Sequence, residues 1–185
     1  MHVPSRRPLV AVYGSSTVRE GDRAYADALA LGRALGAAGA DVVTGGYGGV
    51  MEAASRGAHE AGAHVVGVTV ELFERRGPVN PWVRERVHTP DLFERLRHIT
   101  SRADGFVVAH GSVGTLTELF LTWNLLVADG RPQAPLVAFG AAWPALLRAA
   151  RQPELVPDEL FRYVREAATP EEAARLALGA AAPGS

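Results

Sequence analysis

Three short stretches of glycine and hydroxyl residues carry the chemical signal of this chain. They are Gly14-Ser15-Ser16, Gly45-Gly46-Tyr47-Gly48-Gly49 and His110-Gly111-Ser112-Val113-Gly114-Thr115. Glycine lets the backbone approach a phosphate closely. A helix that follows offers free amides and the positive end of its dipole. A tight strand-to-helix connection explains any one such turn; three in one chain point to a nucleotide-sized anion site. Its candidate lining is Gly14, Ser15, Gly45, Gly46, Gly111, Ser112, Gly114 and Thr115. Each has a plainer reading, Ser15 as a turn residue and Thr115 as a helix cap. Met51 packs either on a base or into the core, and Glu52 either faces the site or only favours the start of its helix.

What is missing narrows the chemistry. All 19 basic residues are Arg, and there is no Lys and no Cys. The chain therefore has no phosphate-binding P-loop lysine, Schiff base or lysine general base. Thiol nucleophiles, disulfides and thiolate zinc sites are likewise excluded. Catalysis must draw on carboxylates, His, Arg, hydroxyls and backbone amides. The six His do not fall at metal-ligand spacing, so no metal and no cofactor is expected. A net charge of −1 gives no global attraction to nucleic acid or acidic membranes. No apolar run reaches the length of a membrane span, and Leu9 to Tyr13 is too short for a signal peptide. The expected location is the cytoplasm.

These turns need elements to hold them. Strands are expected at Leu9–Tyr13, Asp41–Thr44, His64–Val70, Gly105–Ala109 and Pro135–Phe139. Helices are expected from about Asp22 to Ala38, Val50 to Ala61, Thr89-Pro90 to Arg102, and along the Leu116, Leu119, Phe120, Trp123, Leu126 stripe. The stretch from Gly77 through Asn80-Pro81 reads as polar loop. Everything after residue 139 reads as helical, with Thr169-Pro170-Glu171-Glu172 a helix start. Strands alternating with helices predict a single-domain, doubly wound, Rossmann-like parallel sheet with helices on both faces. In such a sheet, ligands bind beyond the carboxyl ends of the strands. Residues 1–8 are expected to be a loose arm, 9–180 the nucleotide-binding domain and 181–185 a tail.

The segment His110-Gly111-Ser112-Val113-Gly114-Thr115-Leu116-Thr117-Glu118 resembles the Pro-Gly-Gly-x-Gly-Thr-x-x-Glu signature of the LOG (Lonely Guy) family. That family was once widely labelled lysine decarboxylase, and it sits in a wider superfamily with DprA and molybdenum-cofactor carriers. The likeness covers roughly residues 9–140. It takes in Gly14-Ser15-Ser16, the segment from Gly45 to Glu52, and Arg95. Residues 45–52 look more like the carrier-type relatives. Three positions depart from the pattern: His110 replaces Pro, Ser112 replaces Gly, and Leu96 replaces the Lys of an Arg-Lys pair.

The resemblance implies a nucleoside 5′-monophosphate phosphoribohydrolase that frees the base from a cytokinin riboside monophosphate or AMP. It implies catalytic roles for Arg95 and Glu118 and a homodimer or larger assembly. The departures favour a second reading, a non-catalytic nucleotide-binding or molybdenum-cofactor-carrier-like protein. Lysine decarboxylation is contradicted, since no lysine can anchor pyridoxal phosphate. For Glu118 the plain alternative is a capping box, Thr115-Leu-Thr-Glu118, whose helix dipole would keep the carboxylate ionised. For Arg95 it is a solvated charge beside Arg97 and Arg102.

Overall fold

A computed structural model describes residues 6–74, 77–130 and 134–179. The Arg75-Arg76 pair, read as solvated or as a phosphate holder at an oligomer interface, and the tail at 181–185 lie outside them.

The elements run β1 (Leu9–Tyr13), α1 (Arg23–Ala37), β2 (Asp41–Thr44), α2 (Val50–Glu60), β3 (Val65–Val70), α3 (Glu71–Glu74), β4 (Glu85–Thr89) and α4 (Leu92–Arg102). They continue with β5 (Gly105–Val108), α5 (Val113–Ala128), β6 (Leu136–Phe139), α6 (Trp143–Ala150), a 3₁₀ turn at Asp158–Tyr163, β7 (Val164–Ala167) and α7 (Pro170–Ala177). The strands form one parallel sheet in the order β4-β3-β2-β1-β5-β6-β7. This is the expected doubly wound α/β fold.

The two-residue period of β1 divides the core. Val10 and Val12 join a cluster with α1, α2 and α7; Ala11 and Tyr13 join another that includes α4, α5 and α6 residues. The sheet is thus covered on both faces, and β3 is buried along its whole length. Helices α1 and α2 meet at two glycines. A side chain on Gly32 would overlap the Ala54 carbonyl oxygen, and one on Gly57 the Leu29 carbonyl oxygen. Arg6 and Arg7, just ahead of β1, make contacts with the body of the fold. Arg6 pairs with Asp104 at 2.8 Å, and Arg7 donates to the Gly39 carbonyl at 2.9 Å.

Two strands differ from the sequence expectation. The loop reading at 77–89 gives way to β4, and the all-helical reading of the C-terminal part gives way to β7. Both are edge strands with charged, exposed positions, Glu85 and Arg86 in β4 and Glu166 in β7. Neither shows the continuous apolar run by which a central parallel strand is recognised. The Thr89-Pro90 helix start is also corrected. Thr89 ends β4, and the cap is Asp91, whose carboxylate accepts from the Glu94 amide at 2.9 Å.

Candidate functional site

The strand order reverses direction at β1, which pairs with β2 on one side and β5 on the other. The helices that follow, α1 and α5, therefore leave toward opposite faces and open a crevice at the strands' carboxyl ends. All three glycine turns converge here. The Ser15 amide donates to the His110 carbonyl at 2.9 Å, and the Val50 amide donates to the Ser15 carbonyl at 2.8 Å. Ser15 thus joins the first turn to both others. Gly14 must be glycine, because a side chain would strike Val50 and come within 3.0 Å of the His110 oxygen. The Ser15 hydroxyl is held within its own turn, accepting from the Thr17 amide at 3.1 Å.

Arg95 and Glu118 come together beneath these turns. Arg95 is only 5% exposed, so the solvated reading does not hold. Its Nε donates to the Val68 carbonyl at 2.8 Å, and its guanidinium lies 5.7 Å from the centre of the Phe73 ring. Nη1 sits 3.7 Å from Glu118 Oε1, an ion pair but too long for a hydrogen bond. Its terminal NH₂ groups donate no hydrogen bond among the described residues. A side chain on Gly45 would overlap Arg95 Nη2 and meet the Met51 sulfur at 2.5 Å. Gly45 and Met51 thus pack directly against the guanidinium. Gly46, in the left-handed region at φ 79°, turns the chain beside Thr69.

The capping-box reading of Thr115 to Glu118 is corrected. The cap is Ser112, and α5 begins at Val113, so Glu118 lies in the second turn rather than at its start. The helix dipole therefore does not dominate its charge. Burial does, pushing the Glu118 carboxyl up to about 7, with the Arg95 guanidinium acting in the opposite direction. A group poised near neutrality can hold or release a proton during a reaction.

The glycines of the third loop serve different ends. A side chain on Gly111 would collide with the buried Thr115. Gly114, inside the first turn of α5, has nothing within 4 Å of where a side chain would go. Ser112 is exposed and does not block the loop. Leu96 lines a groove of about 520 Å³ between α4 and α5 with Phe93 and Leu125, so the half of the Arg-Lys pair that is altered lines that groove. Glu52 stands in the first turn of α2, its Oε2 3.8 Å from where a Gly48 side chain would begin.

Sequence reading did not find Tyr13 and Thr122. The Tyr13 hydroxyl accepts from Thr122 Oγ1 at 3.3 Å, deep in the protein. Burial pushes the phenol far above its ordinary value, and the nearby Glu118 charge adds to this. A strand-end tyrosine in an apolar run carries no sequence sign that its hydroxyl ends beside an ion pair. Among the described residues no group of three His, Asp or Glu side chains could hold a metal ion. No described helix is long and apolar enough to cross a membrane.

Known proteins share sequence and fold with this chain. The chain is 29% identical over 149 residues to an Escherichia coli pyrimidine/purine nucleotide 5′-monophosphate nucleosidase, covering 76% of this chain and 32% of that protein. It is 34% identical over 133 residues to the rice cytokinin riboside 5′-monophosphate phosphoribohydrolase LOG, covering 69% of this chain and 54% of the relative. It therefore spans a third to a half of these relatives' length. Among solved structures it superposes on a molybdenum cofactor binding protein from Rippkaea orientalis with a TM-score of 0.72. Identity is 22%, and the match covers 91% of this chain and 93% of the other. The molybdenum cofactor carrier of Chlamydomonas reinhardtii matches at 0.67 with 24% identity, covering 91% and 94%. At such identities the likeness is one of fold. The model of the SLOG cluster4 family matches residues 7–127, and with the LOG-type motif in place at the crevice, the chain belongs to that family.

Proposed function

We propose that residues 9–180 form one nucleotide-binding unit that hydrolyses the N-glycosidic bond of a nucleoside 5′-monophosphate. The observation that carries this reading is the Arg95–Glu118 ion pair at the crevice, with Glu118 poised near 7 and the outer NH₂ groups of Arg95 donating no hydrogen bond among the described residues. The nucleotide relatives support the same reading. The phosphate rests on the amides of the loop from Gly111 to Thr115 at the start of α5, where Gly114 leaves room for it. With no lysine in the chain, recognition of the anion falls to these amides, the Ser15, Ser112 and Thr115 hydroxyls, and Arg95.

As the bond between C1′ and the base nitrogen breaks, the sugar acquires oxocarbenium character. Ionised Glu118 stabilises that charge and takes a proton from the attacking water. The water oxygen bonds to C1′, giving ribose 5-phosphate. The electron pair of the broken bond leaves with the base, which is protonated by the proton Glu118 took from water, directly or by exchange with solvent, and Glu118 returns to its ionised form. Arg95 holds sugar or phosphate oxygens through its planar fork, while Met51 and Phe73 shape the surface around it.

The test is incubation with AMP and with isopentenyladenosine monophosphate, followed by chromatography for free base. Release that disappears in Glu118→Gln is the expected result. Release unaffected by that change, or none at all, refutes the reading. The second reading, nucleotide or cofactor binding without turnover, is favoured by the close likeness of fold to carrier proteins. Tight binding of AMP or a pterin cofactor without base release would decide for it.

A further inference from the structure

The Arg95–Glu118 pair lies on the α4–α5 side of the sheet, and the proposed reaction leaves another cavity unused. A cavity of about 850 Å³ opens over the carboxyl ends of β5, β6 and β7, bounded by α1 and by the starts of α6 and α7. That is the size of a small-molecule site. Its wall is largely apolar, with Phe139, Ala141 and Ala167, and His110 stands at the edge it shares with the third glycine loop.

Charge decides what can enter. Asp27, Glu166 and Glu172 face Arg23 and His110, and Arg23 already lies 3.7 Å from Asp27. Glu172 is engaged too, accepting from the Ala168 amide at 2.9 Å. Glu166 has no partner among the described residues. A phosphate would meet net negative charge here. An uncharged ring would find an apolar wall, and ribose hydroxyls would find a free carboxylate, the pairing that acidic side chains make in doubly wound folds. His110 of the third glycine turn lines this cavity whereas Arg95 and Glu118 do not, so the cavity is distinct from the place where that pair meets.

We propose that this cavity is a second nucleoside subsite, and that the preferred ligand is a dinucleotide whose two nucleosides flank phosphates held on the glycine loops. The inference rests on the proposed function for its first subsite and adds the substrate class. One nucleoside lies against Arg95, Met51 and Glu118; the other lies against Phe139 and Ala141 with its ribose on Glu166.

Calorimetry with AMP, ADP and diadenosine diphosphate tests it, run beside the base-release assay. ADP supplies the second phosphate without the second nucleoside. Diadenosine diphosphate is expected to bind at least about tenfold more tightly than ADP, equivalent to one good set of contacts. Ala141→Trp and Ala168→Trp fill the cavity from two exposed walls, so both should fold. Each is expected to abolish that gain and leave AMP binding and turnover unchanged. Trp143, in the cavity wall, supplies a fluorescence signal that should respond to the dinucleotide and not to AMP. Equal affinity for ADP and the dinucleotide, or a gain that survives both substitutions, overturns the proposal. AMP cleavage without a dinucleotide gain overturns this inference alone. A dinucleotide gain without base release from any substrate supports the subsite and overturns the hydrolase reading.

Discussion

Glu118 illustrates how burial reverses a local rule. Its motif spacing suggests a carboxylate held ionised by a helix start, yet the helix begins earlier and desolvation takes over. The consequence for stability has a definite sign. Folding raises the pKa from the ordinary carboxylate range to about 7. The folded state therefore binds more protons between those values, and stability is lost as pH rises through 7. The cost is on the order of 2–3 kcal/mol. Urea melts at pH 5 and pH 8 should show the wild type weakening across that interval, while Glu118→Gln, with nothing to ionise, loses much less. Arg95 opposes this shift. Arg95→Gln should therefore move the acidic limb of kcat/KM to higher pH and lower its plateau, since kcat/KM reports the free enzyme's groups. A limb that stays in place would mean that the two side chains are not coupled.

At the scale of elements, close approach of backbones sets the demands on glycine. Gly57 lets α2 lie against the Leu29 carbonyl of α1, and backbone cannot yield as a side-chain tip can. Gly57→Ala should cost about 1–3 kcal/mol or more in a denaturant melt, the range for overpacking. Gly114 is the counter-example, because it is helical and has open space around it. Gly114→Ala should stabilise the fold by about 0.5–1 kcal/mol through helix propensity. It should also weaken AMP binding, because the added methyl occupies room assigned to the phosphate. Stabilisation with unchanged affinity would remove Gly114 from the site.

The same scale explains what could be read from the chain. The five inner strands announce themselves as apolar runs, and β1, β2 and β5 also by the glycine turns that follow them. Edge strands β4 and β7 are short, charged and half-solvated, and only pairing with a neighbour makes them strands. Arg95 and Glu118 were legible as types at motif positions. Their contact was not, because it joins residues 23 apart and is packed by Gly45, Met51 and Phe73 from three other segments of the chain. Tyr13 and Thr122 meet across 109 residues, a distance no local pattern encodes.

At the scale of the molecule, the sheet holds opposite winding directions on either side of β1 and places three anion-ready turns in the crevice between them. Under the proposed hydrolase function, a chain without lysine or cysteine would cleave the N-glycosidic bond noncovalently, using backbone amides, Arg95 and Glu118. The most direct measurement is kcat/KM for adenine release from AMP between pH 5 and 9, with wild type and Glu118→Gln. Because the ionised carboxylate does the work, the wild-type value should rise with pH through an apparent pKa near 7. It should drop at least about a hundredfold in the variant, as expected when a general base is removed. A profile that falls or stays flat through that range, or a Glu118→Gln variant as active as wild type, would contradict the account.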